Sequence, residues 1–248
     1  MDAAPDVDPS GFLVSEKYDG VRALWDGEQL RFRSGLPVHA PDSFTRRLPP
    51  FALDGELWLD RGRFELVSGI VRRHRPLEAD WQAVRYMVFE LPGAAGTFVQ
   101  RAQRIEETAQ ALAWPALQAV KQQVVADRAE LQRHLQSVLA LGGEGLMLHR
   151  ADAPYVGGRN AALLKLKPLH DAEAEVIGHV AGRGKHTGRL GALRVRGASG
   201  AEFLIGTGFS DAQRASPPPL GTLVTYTHRG HTAAGVPRFA SFLRLGSV

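Results

Sequence analysis

Cysteine is absent from all 248 residues. Disulfides and thiolate metal ligands are therefore excluded, while the compartment stays open. Long apolar runs are missing too: nothing approaches the roughly 18 residues of a membrane span, so a transmembrane reading fails. The start, Met1-Asp2-Ala3-Ala4-Pro5, is polar and acidic and has no signal-peptide core. Repeats and low-complexity tracts are lacking. None of the 9 histidines shows metal-ligand spacing, and His228 with His231 is too thin a pair to argue from.

What is present is an ordinary globular composition, 44% hydrophobic and 23% charged, with chain for one or two domains. The net charge of +4 is unevenly placed. Residues 1–168 hold 21 Lys+Arg against 21 Asp+Glu, and residues 169–248 hold 9 against 5. Such a bias is compatible with a bland surface or with a C-terminal part that neutralises a polyanion.

Ser15-Glu16-Lys17-Tyr18-Asp19-Gly20-Val21-Arg22 is the most informative stretch. A lysine in a partly desolvated pocket near other cations can act as a nucleophile toward phosphorus. Asp19 is suited to facing a metal-bound phosphate, Gly20 to a close turn, and Arg22 to forked contact with phosphate or ribose oxygens. Further on, Lys165 and Lys167 alternate along a strand, so both point to one face, with Leu164 and Leu166 on the other. Two lysines on one face repel unless an anion sits between them.

Short β-like runs and turn signals fill the first part. Val21 to Trp25 and Leu30 to Phe32 flank Asp26-Gly27, a hairpin turn. Strands are expected near 52–59 and 84–91, and helices over Phe98 to Leu112 and Ala126 to Leu141, with Gly142-Gly143 as the C-cap. A boundary falls near Pro168 to Glu173. Beyond it, strands are expected at Ala174 to Ile177, Leu190 to Val195, Glu202 to Ile205, Thr222 to Tyr226 and Phe239 to Leu243. Five short strands with Gly-rich turns fit a small barrel, of which the oligonucleotide-binding (OB) fold is the usual one for nucleic acid.

Motifs then follow Lys17 in order: Leu53-Asp54-Gly55-Glu56, Tyr86-Met87-Val88-Phe89, Gly143-Glu144-Gly145-Leu146-Met147 and Leu163-Leu164-Lys165-Leu166-Lys167. The series resembles the covalent lysyl-nucleotidyltransferases: ATP-dependent DNA ligases, RNA ligases and mRNA capping enzymes. The tighter resemblance is to the small bacterial E-type ATP-dependent DNA ligases. It extends to Gly206-Thr207-Gly208-Phe209-Ser210-Asp211 and Gly235-Val236-Pro237-Arg238-Phe239.

That resemblance implies an α+β fold. A nucleotidyltransferase (adenylation) domain of antiparallel sheets with helices would span 1–168, and an all-β OB-fold barrel 169–248. It implies Lys17 as the nucleophile that becomes lysyl-AMP, with Ser15, Glu16, Arg22, Arg33, Glu56, Phe89, Lys165 and Lys167 around the nucleotide. Ser15 would meet the adenine amine, Phe89 the adenine face, Glu56 the ribose and Arg33 the sugar and incoming 5′-phosphate. Glu144 and Asp19 would hold Mg²⁺, with Mn²⁺ an alternative. ATP is the implied adenylate donor and nicked double-stranded DNA the partner.

Arg183, Lys185, Arg238 and Arg244 are the expected DNA contacts of the barrel, the last two also orienting the departing pyrophosphate. Arg72, Arg73 and Arg75 read either as a DNA-backbone patch or as a solvated basic turn. A monomer with no membrane association is expected. It would be periplasmic if an export leader has been removed, as E-type ligases usually carry one, and otherwise cytoplasmic. The alternatives are an RNA ligase or capping-type enzyme, and a non-catalytic nucleic-acid-binding protein on a transferase scaffold.

Overall fold

The computed structural model describes residues 3, 7–158, 160–168, 170–232 and 235–246. Met1-Asp2 and Ala4-Pro5, part of the polar start considered above, lie outside them. The chain divides into two units, Met1–Lys167 and Pro168–Val248.

The first unit begins with β1 (Phe12–Glu16), β2 (Val21–Trp25) and β3 (Leu30–Phe32). Then come α1 (Asp42–Thr45), β4 (Leu53–Trp58), α2 (Phe64–Val71), α3 (Glu78–Trp81) and β5 (Arg85–Glu90). It closes with α4 (Phe98–Leu112), β6 (Leu117–Ala119), β7 (Gln123–Val124), α5 (Arg128–Ala140), β8 (Leu146–Arg150) and β9 (Leu163–Leu166). One sheet has the order β3-β2-β4-β5-β6 and the other β7-β1-β8-β9. All pairs are antiparallel except β5 with β6.

Local chemistry sets the helix ends. Thr97 and Gln100 form a capping box that starts α4, and Ala113 ends it in the left-handed conformation, φ 45°. Asp127 caps α5 by accepting from the Glu130 N–H. Leu131, Leu135 and Val138 of α5 pack on Val14, Leu146 and Leu148, forming the core under the second sheet. A separate core holds Trp25, Leu57, Val67 and Tyr86 under the first sheet. The helix α2, which carries no strong start signal, was not anticipated from the sequence. It exists because Val67, Ile70 and Val71 bury one face in that core.

The second unit has β10 (His170–Ala181), β11 (Leu190–Gly197), β12 (Glu202–Ile205), α6 (Asp211–Ala215), β13 (Leu223–His228) and β14 (Ser241–Leu245). Its sheet order is β12-β11-β10-β13-β14, and a parallel bridge between Thr207 and Ser241 links its two edge segments. β10 is much longer than the expected Ala174 to Ile177, because register shifts after Val176 and Val180 let it bend while pairing with β11 and β13. The last strand also starts later than expected. Phe239 sits in a left-handed turn, φ 57°, and is 81% exposed, so it belongs to the approach and not to the strand.

Candidate active site

Strands of both sheets in the first unit line one cavity of about 240 Å³. Strand alternation decides which side chains reach it. Ser15, Met147 and Lys165 stand in register across β1, β8 and β9 and line the cavity. The next row, Val14, Leu148 and Leu164, turns away into the α5 core. On the facing sheet Arg22 pairs with Glu56 in register, and both line the cavity. Phe89 is the extra residue of a bulge, since Glu90 pairs with Asp54 but Val88 with Gly55. Such a bulge re-aims a side chain, and Phe89 lines the cavity wall.

Lys17 follows β1, and its N–H donates to the Gly145 carbonyl at 2.9 Å. Its ammonium is paired with Glu144, and the other carboxylate oxygen of Glu144 takes Lys167. A carboxylate thus lies between Lys17 and Lys167. Burial pushes the Glu144 pKa up, but the hydrogen bonds from Lys167 and Lys17 outweigh it and hold the group below its usual range. Gly145 allows this geometry: its φ is 148°, and a Cβ there would run into the Leu166 carbonyl. Gly20 is equally confined, since a Cβ would strike the Leu57 carbonyl and the Glu56 side chain.

Arg22 makes a two-pronged contact with buried Asp54, at 2.9 and 2.5 Å, and lies 5.6 Å from the Phe89 ring centre. Burial raises the Asp54 pKa, and the Arg22 hydrogen bond opposes that. Glu56 is pushed up to about 7, chiefly by burial and against the pull of Lys17 and Arg22. Asp19 is raised by burial of its carboxyl and then by Glu144, which places those two carboxylates within electrostatic reach of each other.

The structure thus gathers Ser15, Glu16, Lys17, Arg22, Arg33, Glu56, Phe89 and Lys165 on one cavity, with Glu144 and Lys167 joined through ion pairs. The carboxylate of Glu16 is clasped by Arg61 at 2.8 and 2.7 Å, which fixes it at the wall. The expected DNA contacts of the first unit are not among the residues that line this cavity. Arg72, Arg73 and Arg75 are exposed after α2, and Arg73 is paired with Asp80. In the second unit Arg183, Lys185, Arg238 and Arg244 are all exposed.

Sequence reasoning passed over several lining residues. Asp54 is two positions from Glu56 on β4, so strand alternation alone points both carboxylates the same way. Met147 and His149 share a face of β8 for the same reason. His149 stacks on Phe98 at 3.6 Å between ring centres, and burial pushes its pKa down to about 4. Among the described residues no group of three or more His, Cys, Asp or Glu is arranged to hold a metal. A metal there would rest on Glu144 and Asp19 together with substrate oxygens.

Residues 181–245 match the family described as "DNA ligase OB-like domain". A "DNA ligase" of Haemophilus influenzae is 38% identical over 236 residues, covering 94% of this chain and 86% of the relative. A "Probable DNA ligase" of Streptomyces avermitilis is 30% identical over 226 residues, 79% of this chain and 43% of the relative. A solved structure from "Structure-function analysis of Lig E DNA ligases" superposes with a TM-score of 0.77 at 40% identity, covering 99% and 98% of the two chains. The Chlorella virus DNA ligase-adenylate shares the fold, with a TM-score of 0.58 and 22% identity over 99% and 96%. RNA-ligase and non-catalytic readings are not favoured by these relatives, and no helix among the described residues is long and apolar enough to cross a membrane. With its ordered motifs folded onto one cavity and its similarity running the length of the chain, this protein belongs to the DNA ligases, in the Lig E group.

Proposed function

We propose that this ligase takes its adenylate from ATP and seals breaks between a 5′-phosphate and a 3′-hydroxyl in duplex DNA, with Lys17 as the nucleophile. The observation that carries the reading is the lysine at the cavity wall, held by Glu144 together with Lys167. Lys17 Nζ loses a proton to solvent and bonds to the α-phosphorus, while the bond to the bridging oxygen breaks and pyrophosphate leaves. A 5′-phosphate oxygen of DNA then attacks the same phosphorus, the nitrogen–phosphorus bond breaks, and Lys17 regains a proton. Finally the 3′-hydroxyl attacks the DNA phosphorus, gives up its proton, and AMP departs. Positioning and electrostatics supply most of such catalysis.

Phe89 offers a face to the base. Glu56 makes no hydrogen bond among the described residues, which leaves its oxygens for the ribose hydroxyls. Lys165 and Lys167 face the α-phosphate. Mg²⁺ suits Glu144 and Asp19, because it takes oxygen ligands and commonly uses one or two carboxylates with substrate phosphates. When bound, it neutralises phosphate charge. The unit Met1–Lys167 is the adenylation domain and Pro168–Val248 the OB domain, acting in a monomer.

The test is incubation with α-labelled ATP and Mg²⁺, followed by denaturation. Wild type is expected to carry label, and Lys17→Ala to carry none while keeping its thermal transition. Labelling of a folded Lys17→Ala protein would move the nucleophile elsewhere.

A further inference from the structure

Lys17 stands in a crossing between the two sheets of the first unit. β1 ends at Glu16 in one sheet, β2 starts at Val21 in the other, and residues 17–20 join them. Each residue of such a link has two soft backbone torsions, so the ends of the crossing decide where the ammonium points. The far end is set by packing. Val21 pairs with Leu57 of β4, and Gly20 has no room for a Cβ against the Leu57 carbonyl.

The near end is set by an ion pair that comes from the other sheet. Arg61, in the turn between β4 and α2, donates from Nε and Nη2 to the two Glu16 oxygens at 2.8 and 2.7 Å. The path from Glu16 through β2 and β4 to Arg61 is thereby closed into a ring that contains Lys17. The same clasp packs on the turn that carries Glu144. A Cβ on Gly143 would lie 3.1 Å from Glu16 Oε1 and 2.4 Å from the Val138 side chain. Gly143 thus leaves room for the Glu16 carboxylate as well as ending α5.

We infer that Arg61 is a positioning residue for self-adenylylation: acting through Glu16, it holds the crossing so that Lys17 Nζ reaches the α-phosphorus. The inference rests on the ligase reading above and deepens it. With each oxygen of Glu16 taken by the fork, this carboxylate serves as the anchor of the crossing. Arg61 is not among the residues that line the nucleotide cavity, so its effect falls on the rate of attack and not on the hold on ATP. A displacement of about 1 Å at a reacting atom can cost roughly 100-fold in rate.

The test measures label transfer from α-labelled ATP to the full chain over a range of ATP concentrations, without DNA and well below the thermal transition. Arg61→Gln is expected to lower the maximal rate roughly 30- to 100-fold, with half-saturating ATP within about threefold of wild type. Glu16→Gln breaks the clasp from its other side and should show the same split, so it carries the test should Arg61→Gln not fold. Arg61→Lys keeps the charge but loses the fork, and should recover part of the rate. The exchanged pair Glu16→Arg/Arg61→Glu rebuilds the clasp in reverse and should be roughly tenfold faster than either single variant. A purely stabilising salt bridge would lower the thermal transition of the variants and leave these rates alone.

Absence of labelling in wild type defeats the ligase reading itself. With wild type labelled, three results overturn the positioning role. One is a clasp-breaking variant labelled at the wild-type maximal rate. Another is half-saturating ATP that rises in Arg61→Gln and falls in Glu16→Gln, which would make the pair a charge screen for the phosphates. The third is an exchanged pair no faster than the single variants, which would tie the loss to the individual side chains.

Discussion

Glu56 stands partly buried on the cavity wall. Burial raises its carboxyl to about 7 from the usual 4.5, so the folded protein holds a proton there that the unfolded chain releases. The sign follows directly: with the folded pKa above the unfolded one, the native state is disfavoured as pH rises from about 4.5 to about 7. Glu56→Gln removes the titration. Its stability relative to wild type should therefore grow across that window, by on the order of 1–3 kcal/mol at pH 8. Chemical denaturation at several pH values checks this; parallel curves would show that Glu56 titrates normally. Glu144 makes a different case, because its two lysine partners hold its charge. Glu144→Ala should slow self-adenylylation roughly 100-fold or more while changing ATP affinity far less, as charge stabilisation is lost and base stacking stays. Calorimetric ATP binding beside the labelling rate decides it, and a collapse of affinity at normal rate would remove Glu144 from the metal site.

At the scale of elements, the cavity's far wall depends on one buried ion pair. Arg101 of α4, wholly inaccessible, grips Glu90 of β5 at 2.7 and 2.9 Å and donates to the carbonyls of Gly96 and Ala153. Ala153 precedes Pro154, Tyr155 and Val156, which line the cavity, so this arginine ties helix, sheet and rim together. Arg101→Met leaves Glu90 buried without its partner and should cost roughly 3–5 kcal/mol. A thermal transition within a degree or two of wild type would show that the pair contributes little. The sequence held part of this. Phe98, Arg101 and Ile105 fall on one face of α4, so an arginine occupies a core position in an otherwise legible amphipathic helix. The helix itself was readable to the residue because Thr97 and Gln100 form its cap. By contrast, α2 rests on tertiary burial, and β10 and the Phe239 turn depend on register shifts and a left-handed φ that composition does not announce. The motifs made Ser15, Lys17, Arg22, Glu56, Phe89 and Lys165 legible as a set, and these line one cavity. Asp54, Met147 and His149 were missed because alternation shows its meaning only after the cavity side of each strand is known.

For the whole molecule, the surplus of positive charge lies in residues 169–248, but part of it is not on the surface. Arg214 is buried and spends its guanidinium on the carbonyls of Leu190, Gly191 and Gly206, so it is removed from any polyanion contact. Arg196 is paired with Glu202, and Arg189 lies 3.8 Å from Asp211. Among the described residues of this unit, Arg183, Lys185, Arg194, Arg238 and Arg244 are exposed and make no salt bridge. Each phosphate that they neutralise contributes about 0.9 to the slope of log K against log salt. A chain ending at Lys167 keeps the first unit with its cores and the candidate nucleotide cavity, yet loses all five. It should bind nicked duplex much more weakly, with a slope shallower by about 2–4. Arg238→Ala/Arg244→Ala in the full chain should lower the slope by about half as much. That variant should also slow self-adenylylation, because the pair is proposed to orient pyrophosphate. Titrations on labelled nicked DNA at several salt concentrations measure all three proteins. Equal slopes would put the phosphate contacts on the first unit, at Arg33, Arg72 and Arg75, and make the charge asymmetry incidental to DNA binding.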